Sequence, residues 1–494
     1  MTLRDYAADP AFVARYRAGA LAMARHKSEE LDAGAAGGRT SGGSAFRRAR
    51  IGPRIATGGK FAGHFLWDAA FSAFWAVRAS PEWAALAAST LDNLYRFAEP
   101  DGYIGREFLA DGTPVWNPEH PVSFNPPMLS WAELELAGGA GGPPAECRSA
   151  GILPAGTPPA ILPPALRATP LSEGGDGVET RLARVYPILV RHHRSCERKF
   201  RRPGGLYFSC ILGCGMDDLP RWPRGLAPDR RAAGGIPLTE QSLGERSRDI
   251  WARWLHRFAA DNSWNRQAGW IDLSAAMALD ARCLSEIARR LGRTDDARAF
   301  SAEHAALAEA INRLCWDEAT GFYYDVTDSG IIRRRHLGAL WVLVSHVAPP
   351  ERVKRMVATL FDPAVFYRTV PLASLEAGDP DYTTEKDYFK GPAWPNLNFL
   401  AIRGLCEYGF REEAETLARR WYNCCAALWE KTGGIYENLS SEQFDRPKER
   451  SFPDYAGHGC LTPVALPAIF GWGARAVPFI PWPRRARSLV LELD

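Results

Sequence analysis

Residues 271–314 read IDLSAAMALDARCLSEIARRLGRTDDARAFSAEHAALAEAINRL. In its first half, apolar residues recur every three or four positions, as in an amphipathic helix that ends at Gly292 and Arg293. A second segment of the same kind follows at once, so the stretch predicts a helical hairpin. Residues 391–409 and 411–431 form another such pair. The chain is therefore expected to be built from hairpins of helices.

The same periodicity predicts twelve helices along the chain. They lie near 11–31, 68–78, 81–98, 127–138, 179–202, 270–291, 295–315, 335–347, 350–360, 393–409, 411–431 and 461–471. Twelve helices in hairpins suit an all-α (α/α)6 barrel, a six-hairpin toroid with six inner and six outer helices. A solenoid of helical repeats would show the same periodicity, but no repeat at a fixed period is found. Strand signals are short: GFYYD (321–325) and GIIRRR (330–335) predict a β-hairpin that joins two helices.

One segment interrupts the helical pattern. Residues 137–178 are rich in Gly, Pro and Ala and have no periodicity. Helical segments flank them on both sides. Such a composition favours a low-complexity insertion in a loop, either disordered or in polyproline II conformation. We therefore expect one domain over residues 1–494 that carries this insertion.

Composition excludes several classes of partner. The 494 residues include 60 basic and 57 acidic ones, and this balance favours neither nucleic acid nor an anionic membrane as a partner. The N-terminus has no apolar segment typical of a signal peptide, and no stretch of 18 apolar residues predicts a membrane span. Ten scattered cysteines, several within helical patterns, favour reduced thiols and a cytoplasmic location. Cys210 and Cys214 lack a second ligand pair, so no metal is expected.

Three acidic residues stand in non-helical segments rich in glycine and aromatic residues. They are Asp217 in GMDDLPRW (215–222), Glu437 in GGIYEN (433–438) and Asp68 in GHFLWD (63–68). Cleavage of a glycosidic bond requires two such carboxyl groups, one acid and one carboxylate on the opposite face of the sugar. The neighbouring Asp218 and burial would both raise the pKa of Asp217, which suits a general acid. Each residue also has an ordinary structural interpretation: a turn, an exposed strand or a helix N-cap.

Two further segments complete a pattern along the chain. They are SFNPPML (123–129) and YFKGPAWPNLNFLAIRGL (388–405). In this order the five segments resemble the clan of inverting glycosidases that holds the trehalases (glycoside hydrolase family 37) and the processing-glucosidase and mannosylglycerate-hydrolase-like enzymes (family 63). The resemblance covers about residues 50–136 and 180–472.

The resemblance implies inverting hydrolysis of an α-glycosidic bond by a catalytic domain that needs no cofactor and no metal. Its substrate would be a small carbohydrate: an α-glucoside, an α-mannoside or a mannosylglycerate-like compound. Asp217 would be the general acid and Glu437 the general base. The residues that it implies for substrate binding are Trp67, Asp68, Asn125, Arg221, Lys390 and Trp394, with a loop-orienting role as an alternative for Arg221.

Two departures from the trehalase pattern argue against trehalose as the substrate. Trehalases continue from the base into a GFGWTN-like segment, whereas residues 456–462 here read AGHGCLT, without the Trp. The trehalase loop also has four glycines before its Glu, where this chain has Ile435 and Tyr436. Neither departure affects the resemblance to family 63.

Two other classes of function remain open at this point. A sugar epimerase or isomerase on the same barrel would use histidines as acid and base, and His64, His336 and His458 are the candidates, although each is more readily interpreted as structural. A non-catalytic sugar-binding protein would keep the pocket, but the presence of both Asp217 and Glu437 argues against it. The sequence favours neither a monomer nor a homo-oligomer.

Overall fold

The computed structural model describes residues 3–37, 51–59, 61–108, 112, 125–139, 175–209, 214–221, 267–449 and 451–473. Within these ranges the α-helices are α1 (Pro10–Gly37), α2 (Leu66–Ala79), α3 (Pro81–Arg96), α4 (Leu129–Gly139), α5 (Gly175–Phe200), α6 (Ile271–Arg290), α7 (Thr294–Leu314), α8 (Trp341–Val344), α9 (Pro350–Leu360), α10 (Pro395–Glu407), α11 (Arg411–Thr432) and α12 (Ala465–Phe470). Single 3-10 turns lie at Tyr6–Ala8, Leu337–Leu340 and Gly459–Leu461. Each predicted helix thus has a counterpart.

Five helices and one short turn form a closed inner ring. Helix α2 packs against α4, α4 against α6, α6 against α8, and α8 against α10. The 3-10 turn Gly459–Leu461 contacts both α10 and α2 and so closes the ring. Residues 395–405 of α10 are buried without exception, as expected of a helix that is surrounded on all sides.

Six of the remaining helices, α1, α3, α5, α7, α9 and α11, alternate with the inner elements along the chain and lie outside them. The short helix α12 follows the last inner turn and packs against α2. In α7, only Phe300, His304, Leu307 and Ile311 are buried, at the spacing of a single apolar stripe. Helix α1 packs against the 3-10 turn Gly459–Leu461, so the first outer helix covers the last inner element. This architecture is the (α/α)6 barrel that the helical hairpins predict.

The strands are two residues long and all pair antiparallel. They are β1 (His64–Phe65) with β2 (Glu107–Phe108), β4 (Trp316–Asp317) with β5 (Phe322–Tyr323), and β6 (Val326–Thr327) with both β3 (Ala268–Gly269) and β7 (Gly330–Ile331). The predicted hairpin between 321–325 and 330–335 is therefore wrong in its pairing. Gly321 lies in the turn between β4 and β5, and Gly330 follows the turn Asp328–Ser329 as the first residue of β7. Both glycines have a positive φ, and each belongs to a hairpin of its own.

The predicted insertion at 137–178 lies largely outside the described residues. Its two ends are helical, because α4 continues to Gly139 and α5 begins at Gly175. The insertion therefore spans at most residues 140–174, which lie outside the described residues. A single domain over 1–494 stays a prediction.

A buried ion-pair network joins three inner helices at the end of the barrel where α2, α4 and α10 finish. Glu135 of α4 accepts from Arg78 at 3.2 Å and from Arg403 at 2.6 Å. Arg403 also pairs with Glu407, which contacts His346 at 2.5 Å. Cations near helix C-termini interact favourably with the helix dipole. The network therefore fixes the relative positions of α2, α4 and α10.

Glu135→Gln is expected to lower the free energy of unfolding by about 3–5 kcal/mol, because the change leaves two buried guanidinium groups without their shared anion. Urea unfolding followed by circular dichroism measures the difference. The matched control is Glu309→Gln, which breaks the exposed pair between Glu309 and Arg313 and should cost less than about 1 kcal/mol. Equal losses in the two variants would contradict the stabilising role of the network.

The cysteines within the described ranges form no disulfide with one another. All eight of them are free thiols, and seven are buried. No described helix combines the length and the apolar character that a membrane-crossing segment requires.

Candidate active site

A pocket lies at the end of the barrel where the inner helices begin. Asp68 is in the first turn of α2, Asn125 precedes α4, Trp394 directly precedes α10, and Glu437 lies between α11 and the last inner turn. The pocket encloses about 460 Å³, including its opening to solvent, and its described lining residues are Phe61, Phe65, Trp67, Asp68, Arg106, Asn125, Gly215, Asp217, Tyr388, Phe389, Trp394, Glu437, Tyr455 and His458. Since the inner helices all start at this end, their N-terminal loops meet there.

Asp217 lies on a loop that packs tightly against Trp67. Gly215 has φ 90°, and a Cβ at this position would come within 2.7 Å of the Trp67 ring, so only glycine fits. Burial raises the pKa of Asp217 to about 7, against the lowering effect of Arg106. Its Oδ1 is buried and has no hydrogen-bond partner among the described residues. Asp217 can therefore keep a proton near neutral pH and present it to the pocket.

The neighbouring Asp218 has a different role. Its carboxylate accepts from the backbone N–H of Tyr388 at 3.0 Å and of Phe389 at 2.8 Å. Asp218 also adopts φ 59°, in the left-handed region, which Asp tolerates better than most residues. The second acid of the pair therefore joins the Asp217 loop to the segment that carries Tyr388.

Glu437 is held by main-chain bonds on both sides. Its N–H donates to the carbonyl of Phe452 at 3.0 Å, and Leu439 exchanges two 2.9 Å bonds with Ala393. Burial raises the pKa of Glu437 well above the usual range, and the hydrogen bond donated by the Tyr388 hydroxyl to Oε1 opposes this rise. Oε2 is buried and has no partner among the described residues, so one oxygen is anchored and the other is available to a ligand.

Asp68 faces the same pocket from the start of α2. Its Oδ1 accepts from the Tyr455 hydroxyl at 2.8 Å, and burial raises its pKa to about 7. A Cβ at Gly457 would come within 2.8 Å of Asp68 Oδ1, so glycine is required for the loop to approach the carboxyl group. Asp68 is therefore not the N-cap of α2, which is Phe65, but part of the pocket wall.

The pocket therefore brings together six of the eight residues named from the sequence: Trp67, Asp68, Asn125, Asp217, Trp394 and Glu437. Trp394 stacks on Phe389 with ring centroids 3.9 Å apart, and its Nε1 donates to the carbonyl of Tyr388 at 3.2 Å. Flat aromatic faces of this kind suit the apolar faces of a sugar ring.

Arg221 and Lys390 are not among the described lining residues, which corrects their expected contact with the substrate. The Arg221 guanidinium pairs with Asp272 and lies 2.8 Å from Asp325 Oδ2 and 4.3 Å from the centre of the Trp270 ring. These contacts hold the Asp217 loop against the start of α6. Of the two roles proposed for Arg221, they favour the loop-orienting one.

Lys390 lies beside the pocket segment without lining the cavity. Its nearest described anion is Asp387, with Nζ 3.7 Å from Oδ2, and its carbonyl accepts from Thr383 N–H at 2.8 Å. Tyr388 and Phe389 of the same segment line the pocket instead. Neither Tyr388 nor Arg106 was predicted. Tyr388 begins the segment 388–405, in which the resemblance implied Lys390 and Trp394 instead, and Arg106 lies in none of the five segments.

Of the three histidines considered for an epimerase, only His458 lines the pocket. His64 hydrogen-bonds the carbonyl of Thr90 at 2.9 Å, and His336 contacts Asp325 at 3.1 Å. The structure thus brings no pair of histidines into the pocket within the described ranges. This arrangement disfavours acid–base chemistry by two imidazoles.

One described cluster has the composition of a metal site, namely His193, Glu197 and Glu303. Its charges are already paired. His193 Nε2 lies 2.5 Å from Glu303, and Arg194 pairs with both glutamates. Because the anions are neutralised by these neighbours, the cluster is best explained as an ion-pair network between α5 and α7.

Known proteins resemble this chain over most of its length. The family model described as the mannosylglycerate hydrolase MGH1-like glycoside hydrolase domain matches residues 64–443. The mannosylglycerate hydrolase of Rubrobacter radiotolerans is 24% identical over 415 residues, which cover 78% of this chain and 86% of that protein. The range matched by the family model includes Asp68, Asp217 and Glu437.

Solved structures show the same fold. The family 63 mannosylglycerate hydrolase of Thermus thermophilus, in complex with Tris and D-glycerate, superposes with a TM-score of 0.62 at 17% identity, covering 91% of this chain and 99% of that one. The neutral trehalase of Saccharomyces cerevisiae gives a TM-score of 0.56 at 14% identity, covering 84% and 73%. The predicted (α/α)6 barrel is confirmed.

Proposed function

The chain belongs to the mannosylglycerate hydrolase MGH1-like glycoside hydrolase family, and we propose that Asp217 and Glu437 are the acid and base with which it hydrolyses a small α-glycoside. The observation that carries this assignment is that the buried Glu437 and the half-buried Asp217 line one pocket, although 219 residues separate them in the sequence. Each has one carboxyl oxygen with no partner among the described residues, as a group that acts on substrate requires.

The surroundings of the two carboxyl groups support different roles. Burial and the charges of Asp68 and Asp217 raise the pKa of Glu437, and the Tyr388 hydroxyl and the charge of Lys448 oppose this rise, so the hydrogen bond from Tyr388 favours the ionised form that a base needs. No described donor reaches Oδ1 of Asp217. Asp217 would protonate the leaving oxygen while Glu437 removes a proton from water on the opposite face of the sugar, which inverts the anomeric centre.

Other lining residues would bind the sugar. Asp68 and Asn125 offer polar atoms for ring hydroxyl groups, and Trp67 and Trp394 form aromatic walls. Arg106, which lines the pocket, lowers the pKa of Asp217 by its charge and so lies on the side where the leaving group would be protonated. This position favours a leaving group that carries a carboxylate, as in a mannosylglycerate-like substrate.

The deciding experiment is a panel of α-mannosides and α-glucosides of glycerate, of glycerol and of nitrophenol, with the product anomer followed by NMR. We expect hydrolysis of at least one α-glycoside with initial release of the β-anomer, and a higher kcat/KM for glycerate than for glycerol as leaving group. Initial release of the α-anomer would refute the assigned geometry. Incorporation of deuterium at carbon during incubation in heavy water would instead indicate an epimerase.

We also propose that the enzyme acts in the cytoplasm. Eight free cysteines within the described ranges, seven of them buried, suit a reducing compartment. Fractionation of the source cells tests this proposal, which requires the protein to remain in the cytosolic fraction.

Tyr388→Phe is expected to lower kcat about tenfold and to move the acidic limb of the pH–rate profile to higher pH. The hydroxyl stabilises the ionised form of Glu437, so its removal raises the pKa of the proposed base, which must be ionised to act. The dependence of kcat/KM on pH measures this shift.

Tyr382→Phe is the matched control. The Tyr382 hydroxyl bonds Ser441 at 2.6 Å and Glu442 at 2.9 Å, and Tyr382 is not among the described lining residues. This variant should leave the acidic limb in place. An unchanged acidic limb in Tyr388→Phe would show that the hydroxyl does not support the base.

A further inference from the structure

His458 is the lining residue whose polar atoms the proposed mechanism does not use. Its side chain is 1% exposed, and neither Nδ1 nor Nε2 has a hydrogen-bond partner among the described residues. A buried polar group without a partner destabilises a fold. Because the imidazole faces the pocket, a ligand in the pocket can supply the missing partner.

The imidazole is held in one position by the segments around it. The N–H groups of Ala456 and Gly457 both donate to the carbonyl of Thr57, at 2.9 and 2.8 Å. Trp75 Nε1 donates to the carbonyl of Gly457 at 2.8 Å. The ring itself packs on Tyr455, with centroids 4.5 Å apart. His458 is therefore pre-organised before any ligand binds.

The nearest charged group is Asp68. His458 Nε2 lies 3.9 Å from Asp68 Oδ1, which is too far for a hydrogen bond. Burial lowers the pKa of His458 to about 3, so the ring is neutral and the two residues do not form an ion pair. A neutral imidazole has one donor and one acceptor nitrogen.

The gap between these two atoms fits one oxygen. An oxygen atom placed about 2.8 Å from both Nε2 and Oδ1 would make an angle of about 90° between the two hydrogen bonds. A hydroxyl group can accept from Nε2–H and donate to Oδ1 at the same time, and a carboxylate oxygen that already accepts from Tyr455 has a second lone pair for it. An apolar group or a carboxylate in this position could not satisfy both atoms.

We propose that His458 and Asp68 together bind a single hydroxyl group of the sugar ring, which makes His458 a specificity-determining residue. This inference rests on the proposed function, because it takes a carbohydrate as the occupant of the pocket. It deepens that function by requiring a hydroxyl group at one ring position. A sugar that lacks this hydroxyl leaves both buried atoms unsatisfied and is rejected.

The test combines two variants with a series of monodeoxy substrates. His458→Phe keeps the aromatic packing and removes both nitrogens, whereas His458→Gln places an amide nitrogen near the position of Nε2. In the parent enzyme, removal of one hydroxyl should lower kcat/KM at least tenfold. In His458→Phe, kcat/KM on the full substrate should fall at least tenfold, the further loss on that one deoxy analogue should be clearly smaller than in the parent enzyme because only the contact with Asp68 remains, and His458→Gln should recover part of the activity.

Two results would overturn the proposal. One is that His458→Phe lowers kcat/KM by the same factor on every analogue, including the one that lacks the bound hydroxyl. The other is full activity of His458→Phe on the hydroxylated substrate. The first result would mean that the imidazole only packs or holds water.

A binding measurement separates this inference from the proposed function. Glucose and mannose are titrated into the parent protein while the imidazole ¹⁵N resonances are followed by NMR. The His458 resonances should shift, whereas those of His304, whose Nε2 bonds the carbonyl of Ser345 at 2.8 Å, should stay in place. Shifts without hydrolysis of any glycoside would refute the proposed function alone. Hydrolysis without shifts would refute the role of His458, and absence of both would refute both.

Discussion

Glu437→Gln is expected to lower kcat by about 10²–10⁴-fold, the usual contribution of a general base, with little change in KM. Glutamine keeps the size of the side chain and can still accept from the Tyr388 hydroxyl, but it cannot take a proton from water. Circular dichroism should show an unchanged helical fold, because the loop around Glu437 is fixed by main-chain hydrogen bonds to Phe452 and around Leu439. Rates are measured on the substrate that the panel identifies.

Azide distinguishes loss of a base from loss of structure. An azide ion needs no deprotonation, so it should attack the anomeric carbon of the bound substrate in Glu437→Gln and yield a β-glycosyl azide. Glu442→Gln is the matched control, because Glu442 pairs with Arg368 at 2.7 Å and is not among the described lining residues. This variant should keep the parent rate. A near-parent rate in Glu437→Gln would remove Glu437 from the mechanism.

Asp217→Asn is expected to lower kcat by about 10²–10⁴-fold on substrates with an alkyl leaving group, because these oxygens must be protonated as the bond breaks. The loss should be much smaller with a nitrophenyl leaving group, which departs as an anion. This dependence on the leaving group identifies an acid, and rates on glycerol and nitrophenyl glycosides of the same sugar measure it.

The neighbouring Asp218 provides the matched control for this prediction. Its carboxylate accepts from two backbone N–H groups, so Asp218→Asn should disturb the loop of Tyr388 and Phe389 without removing a proton donor. Its loss of rate should be the same for both leaving groups. If Asp217→Asn also loses equally on both, Asp217 is not the acid.

The pH–rate profile gives an independent check of the acid. Burial raises the pKa of Asp217 to about 7, and the group must be protonated to act. Activity of the parent enzyme on alkyl glycosides should therefore fall as the pH rises through that value. In Asp217→Asn this basic limb should disappear, while the acidic limb due to the base remains. Persistence of the basic limb would assign it to another group.

Much of the fold could be predicted because helical periodicity is a local property. The stripe of Phe300, His304, Leu307 and Ile311 is visible in the sequence and again as the buried face of α7. The strand pairing could not be predicted in the same way. Two-residue strands carry almost no periodic signal, and the structure places them in two separate hairpins, β4 with β5 and β6 with β7.

The site residues were also predicted only in part. Short motifs predicted where Asp68, Asp217 and Glu437 stand on loops or at a helix start, and the pocket includes all three. Motifs could not predict which neighbours face the cavity. Arg221 forms ion pairs with two buried aspartates and does not line the pocket. Lys390 does not line it either, whereas Tyr388, two positions earlier, does.

The helices, their alternation in hairpins and the segments that carry acids follow from the order of residues, since each depends on positions close together in the chain. The contacts between side-chain atoms depend on the folded barrel, as for His458 Nε2 and Asp68 Oδ1, which lie 3.9 Å apart across 390 positions. These two residues meet because the ring closes where the 3-10 turn Gly459–Leu461 contacts α2, and side-chain packing at that junction sets distances that no local pattern encodes.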